Sequence, residues 1–121
     1  MRVIVCGSQD YNDKAGCFQE LDEILSGISD VEIISGNAKG ADQFGEEFAR
    51  SHGLALRVFP ADWKKYGKAA GPIRNREMLK YALETDCMVI AFWNRKSRGT
   101  GNMLKQAKAA GVKCHIVLLD E

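Results

Sequence analysis

The feature that most constrains this chain is an end-to-end alternation of short apolar runs with stretches whose apolar residues recur at helical spacing. Val3 to Cys6 is a β-branched run halted by Gly7-Ser8. Phe18, Leu21, Ile24 and Leu25 then mark one face of a helix, with acidic residues between them. Val31 to Ile34 reads as a second strand ended by Ser35-Gly36, and Ala41, Phe44, Gly45 and Phe48 as the face of a second helix that closes near His52-Gly53. Leu54 to Phe59 is a third strand, broken by Pro60. Ala61 to Pro72 reads as the longest irregular stretch, of a length that is usually functional or mobile. Helical spacing resumes from Ile73 to Leu83, and Cys87 to Phe92 is nearly all apolar, as a strand covered on both faces should be. Thr100 to Ala110 gives a further helix ended by Gly111, and Val112 to Leu119 contains the last strand.

No hairpin signal interrupts this order. Strands separated by helices require right-handed crossovers, which lay the strands parallel and cover the sheet on both sides. The expected fold is therefore α/β: a three-layer Rossmann-like arrangement of five parallel strands in the order 3-2-1-4-5. At 121 residues the chain is expected to form a single domain, residues 1–121, large enough to build a core without staples.

Composition narrows the class. The hydrophobic fraction of 45% and charged fraction of 27% are those of ordinary globular chains, which argues against intrinsic disorder. No apolar run approaches the roughly 20 residues a spanning helix needs, and Met1 to Cys6 is too short and too weakly basic for a secretory signal. A cytoplasmic protein with no membrane partner is expected. Seventeen basic and 16 acidic residues give a net charge of +1, so there is no broad electrostatic footprint for duplex DNA or an anionic surface. The four cysteines, Cys6, Cys17, Cys87 and Cys114, lack CxxC spacing and read as buried free thiols. His52 and His115 lie far apart without a ligand pattern, so no zinc site is expected.

Ligands of open parallel sheets bind beyond the carboxyl ends of the strands, where the strand order reverses. That rule selects Gly7-Ser8-Gln9-Asp10-Tyr11 after strand one, Ser35 to Asp42 after strand two, and Asn94 to Asn102 after strand four. With the order 3-2-1-4-5 all three glycine-bearing loops meet at one crevice. Glycine tolerates positive φ and lets backbone N–H groups approach an oxyanion closely, and each following helix adds unpaired donors and partial positive charge. The predicted ligand-binding residues here are Gly7, Ser8, Gln9, Asp10, Gly36, Lys39, Gly40 and Asp42, with Arg98, Gly99 and Thr100 at the last helix. Neither GxGxxG after strand one nor GxxxxGK[ST] is present, which disfavours a dinucleotide dehydrogenase or a P-loop hydrolase.

Gly71-Pro72-Ile73-Arg74-Asn75-Arg76 adds two guanidiniums and an amide beside a helix start that Pro72 is expected to fix, a candidate anion clamp formed by Arg74, Asn75 and Arg76. Asp10 and Asp42 admit two readings. They are either pocket groups that contact ribose hydroxyls or hold Mg²⁺, or turn and capping residues. Trp63 and Tyr66 either stack on a base or pack their segment onto the body, and Lys64, Lys65 and Lys68 are solvated surface.

These segments resemble a known family. Val3 to Ser8 followed by Asp10-Tyr11, then Gly40-Ala41-Asp42, Phe59-Pro60-Ala61-Asp62-Trp63, Tyr66 to Arg76 and Arg98-Gly99-Thr100 look like the SLOG superfamily, in its YspA/YpsA-related branch. The resemblance spans almost the whole chain, and Gly-Pro-Ile-Arg-Asn-Arg is its most specific stretch. It implies a Rossmannoid fold with a pocket for nucleotides or nucleotide-derived ligands, in a superfamily holding both ligand sensors and lonely-guy phosphoribohydrolases. Two departures matter. Gln9 stands where the first loop usually carries Arg, and Asn102 and Met103 occupy the turn where lonely-guy enzymes place a catalytic Glu. An amide cannot stabilise cationic character on a sugar as a carboxylate does. Hydrolysis is therefore expected to be weak unless Asp10, Asp42 or Asp62 substitutes. The leading expectation is a sensor or binding module for a nucleotide-like small molecule, with a phosphoribohydrolase- or nucleosidase-like hydrolase that cleaves an N-glycosidic or phosphoester bond, using Asp10 or Asp42, as the alternative. A single-strand nucleic-acid binder is disfavoured by the balanced charge. Family analogy and the commonness of two-fold dimers add a homodimer as a further expectation.

Overall fold

The computed structural model describes residues 1–119. Five strands, β1 (Arg2–Gly7), β2 (Glu32–Ser35), β3 (Ala55–Val58), β4 (Cys87–Trp93) and β5 (Lys113–Leu118), form one sheet in the order β3-β2-β1-β4-β5. Every pairing is parallel, with Val3 beside both Ile33 and Met88, so the chain is an α/β domain of Rossmann-like arrangement with helices between its strands. The chain winds outward from β1 to β3, then returns past β1 to β4.

Alternation along the central strands divides the core into two layers. Val3 and Val5 of β1 and Ile33 of β2 pack with Cys17 and Leu21 of α1 (Lys14–Leu25) and Phe48 and Ala49 of α2 (Ala41–Ser51). Ile4, Cys6 and Ile34 pack on the other face against Met78, Leu79, Met103 and Leu104. Those last four come from α4 (Ala70–Ala82) and α5 (Arg98–Ala109). Each fully buried aliphatic or aromatic side chain, Ile4, Leu21 and Phe92 among them, contributes about 1.5–3 kcal/mol through removal from water. All four cysteines are free; Cys6 and Cys17 are buried, but Cys87 and Cys114 are only half-buried because they lie toward the ends of their strands. Among the described residues no helix is long and apolar enough to cross a membrane.

Three expectations are corrected. Ala61 to Pro72 is mostly helical: α3 spans Trp63–Tyr66, a 3₁₀ turn spans Gly67–Ala69, and α4 starts at Ala70. Asp62 caps α3, its Oδ1 accepting from the Lys65 N–H at 3.1 Å, and Gly67 breaks it at φ 56°. Pro72 lies inside the first turn of α4, where its missing N–H would have had no intrahelical partner, so it does not mark the entry. Likewise α5 starts at Arg98, two residues before the expected Thr100, because Ser97 is its cap.

Candidate functional site

The sheet order reverses between β1 and β4, and there the carboxyl end of the sheet opens into a narrow crevice of about 80 Å³. Its walls come from every loop the sequence singled out: Gly7 and Gln9 after β1, Ala38 and Asp42 after β2, Arg74 and Asn75 on α4, and Ser97, Gly99 and Thr100 at α5. Cys6, Met78 and Met103 form its apolar floor. Burial pushes the Cys6 thiol well above its ordinary range, with Asp42 adding to the effect, which disfavours the nucleophilic thiolate.

Gly7 is required by internal packing. A Cβ there would lie 2.3 Å from the Phe92 carbonyl oxygen, because β1 and β4 close against one another beneath the crevice. Ser8 is a buried strut whose Oγ accepts from the Asn94 N–H at 3.1 Å, tying the first loop to the one after β4. Gly40 turns the chain into α2 at φ 79° and ψ −128°, with its Cα hydrogen facing the Ser8 carbonyl oxygen.

Asp42, in the first turn of α2, is 5% exposed. Its carboxylate accepts from the Ala38 N–H at 3.3 Å. Burial pushes its pKa up to about 7 and Glu46 adds to the rise, while the Ala38 and Gly7 amides and the Arg74 charge oppose it. Glu46, one helical turn on, is equally buried and accepts from Ser35 Oγ at 2.7 Å. A carboxyl that is half-protonated near neutrality, set in a cleft, is a recognised mark of a functional site.

Arg74 brings its guanidinium to the same place. Nη1 donates to the Gly36 and Phe59 carbonyl oxygens, and Nε donates to Asn75 Oδ1 at 3.1 Å. Asn75 in turn donates from Nδ2 to the Gly99 carbonyl at 3.2 Å and to Asn102 Oδ1 at 3.1 Å. The buried amide thus locks α4 to the first turn of α5. There Ser97 Oγ accepts from the Thr100 N–H at 3.4 Å, while helix geometry leaves the Arg98 and Gly99 amides without an intrahelical carbonyl. Gly99 is exposed, and nothing lies within 4 Å of a Cβ built there.

Other predicted residues lie elsewhere. Arg76 is exposed and does not line the crevice, since residues two apart on a helix project to nearly opposite sides. Arg98 and Lys39 are exposed and also outside its lining, whereas Gly36 is buried behind Arg74. Asp10 turns away into a larger concavity of about 650 Å³ between the start of α1 and β5. That hollow is rimmed by Asp10, Asp13 and Glu20, and Asp13 is already committed as the cap of α1. Its size exceeds that of the crevice; Lys96 shares its lining with the three carboxylates, and burial is the main cause that raises the Tyr11 hydroxyl to about 12. Among the described residues no three His, Cys, Asp or Glu side chains gather as a metal site would require. Sequence reasoning missed Glu46, Ser35 and Ser97. Glu46 carried one signal, its spacing of four residues from Asp42.

Fold and site together define a class: a parallel α/β domain whose loops enclose a polar crevice at the switch point of the sheet. Within that class, the chain belongs to the YspA, cpYpsA-related SLOG family, which it matches over residues 1–66. Membership associates it with nucleotide-related binding or processing. It is also similar to the Gene 61 protein of Mycobacterium phage D29, with 30% identity over 117 residues covering 92% of this chain and 91% of that protein. The family match takes in the first two loops and Trp63; Arg74, Asn75, Gly99 and Thr100 lie beyond it.

Proposed function

We propose that this protein is a binding module that holds a nucleotide or nucleotide-derived phosphate ligand in the crevice between β1 and β4. The observation that carries the reading is the convergence, in one cleft, of the open first turn of α5, the Arg74 guanidinium and the buried Asp42. A phosphate at the Gly99 amide would meet the partial positive charge of a helix N-terminus and lie near an always-charged guanidinium. Asp42 is suited to a ribose hydroxyl, as acceptor when ionised and as donor when protonated.

One observation favours a second reading, an N-glycosidic hydrolase. With its pKa at about 7, Asp42 has the proton affinity of a general acid working near neutrality. Against it, Asn102 holds only an amide where a cation-stabilising carboxylate would serve, and its Oδ1 is already taken by Asn75 and by Gln106 Nε2 at 2.7 Å.

Thermal unfolding in the presence of AMP, NAD, ADP-ribose and ribose 5-phosphate tests the reading. A true ligand at about 100-fold its Kd adds about 2.7 kcal/mol, a rise of several degrees for a domain of this size. No shift with any phosphate compound would refute it. Chromatography of the compounds after incubation separates the two readings: unchanged ligand supports the module, and products abolished by Asp42→Asn support the hydrolase.

A further inference from the structure

Resting on that reading, we propose that the hollow beside the crevice is a base subsite in which Trp63 stacks on a planar ring, so that the site selects nucleotides over bare sugar phosphates. Trp63 is 58% exposed, the most exposed large hydrophobic side chain among the described residues. An indole left in water is otherwise the kind of surface that a folded chain buries. Trp63 opens the short helix α3 capped by Asp62, and its Cη2 lies 3.5 Å from a Cβ built at Gly71 in the first turn of α4.

The hollow that Trp63 lines measures about 250 Å³ and includes Gly36, Asn37, Pro60 and Ala61. It shares Gln9, Ala38 and Arg74 with the crevice, so the two spaces adjoin at the Arg74 side chain. Together the two spaces reach the lower end of the usual range for small-molecule sites, roughly 300–1,000 Å³. The phosphate end is polar and the far end carries an aromatic face. Gln9, on the wall shared by the two spaces, and Asn37, in the hollow alone, are both exposed and offer amide donors and acceptors to the edge of a base. Tyr66 lines neither space and has the Lys65 ammonium over its ring at 5.1 Å, so it is not part of the subsite.

Calorimetric titration of wild type, Trp63→Ala and Trp63→Phe with AMP, ADP-ribose and ribose 5-phosphate tests the inference. Aromatic stacking predicts that wild type binds AMP or ADP-ribose roughly 10- to 100-fold tighter than ribose 5-phosphate. Trp63→Ala should abolish that preference while leaving ribose 5-phosphate affinity and thermal stability unchanged, and Trp63→Phe should keep most of it. A Trp93→Phe chain, with Trp63 as its sole tryptophan, should show fluorescence quenched by AMP and not by ribose 5-phosphate. Equal affinity for AMP and ribose 5-phosphate, or equal losses for both in Trp63→Ala, would overturn the base subsite and leave the phosphate reading intact. Failure of every phosphate compound to bind wild type would overturn both.

Discussion

Replacing Asp42 by Asn removes a buried carboxyl whose ionisation the folded chain resists, and the effect on stability can be worked through. The carboxyl is 5% exposed and its pKa is raised from 3.8 to about 7, chiefly by burial. Between those values the native state keeps a proton that the unfolded chain has released. Stability from this group is therefore fully present below about pH 4, falls as pH rises toward 7, and is level above that. At about 1.4 kcal/mol per pH unit, ionised Asp42 costs the folded protein on the order of 4 kcal/mol. Asn has the same shape, and its carbonyl oxygen can still accept from Ala38, so the variant avoids this cost. Urea unfolding of both proteins from about pH 4 to about pH 8 should show Asp42→Asn gaining about 2–4 kcal/mol on wild type across that span, while contributions from other groups cancel in the difference. A difference that stays constant with pH to within about 0.5 kcal/mol would mean that Asp42 titrates as an ordinary surface acid, and the electrostatic description of the crevice would be wrong.

Three further outcomes are expected. Gly99→Ala should raise stability by about 0.5–1 kcal/mol in thermal unfolding, since its Cβ meets nothing within 4 Å and helical Gly is costly, yet it should weaken phosphate binding roughly tenfold by obstructing the exposed amide. Arg74→Ala should lower calorimetric affinity for a nucleotide by roughly 10- to 100-fold, the usual value of a charge-assisted contact, whereas Arg76→Ala should change it by less than about threefold. Equal losses would show that the helix phase assigned to α4 is wrong. Gly40→Ala should lower unfolding free energy by about 2–4 kcal/mol, because φ 79° strains any side chain and the new Cβ would lie 2.4 Å from the Ser8 carbonyl oxygen.

The succession of parallel strands and helices was legible in the sequence: β-branched residues at Val3, Val31 and Val89, glycine stops after the first two runs, and helical periodicity between them. The crossover rule makes such strands parallel, and the order 3-2-1-4-5 is one of the arrangements it permits. The helices over residues 63–70 were hidden because four residues cannot display a period, and Trp-Lys-Lys-Tyr buries none of its members. Which of Arg74 and Arg76 enters the crevice depends on the phase of α4, set by where Leu79 and Met78 dock on the sheet. Asp10 was placed with the other loop residues because one strand end has two sides, and nothing in Ser8-Gln9-Asp10 says that Ser8 is spent tying down Asn94 while the chain turns away. Beyond its spacing from Asp42, nothing in the sequence sets Glu46 apart from the other charged residues of α2. Only the packing of α2 against β2, with Ser35 beneath it, shows the carboxylate to be enclosed.

The central claim is that an anionic ligand occupies the crevice at the sheet reversal, and amide chemical shifts of ¹⁵N-labelled protein titrated with AMP test it most directly. The account predicts saturable shifts concentrated at Gly7, Gln9, Ala38, Gly99 and Thr100, which come from separate loops and meet only there. Shifts confined to Asp10, Asn12 and Leu118 around the larger concavity, or none that saturate, would contradict it.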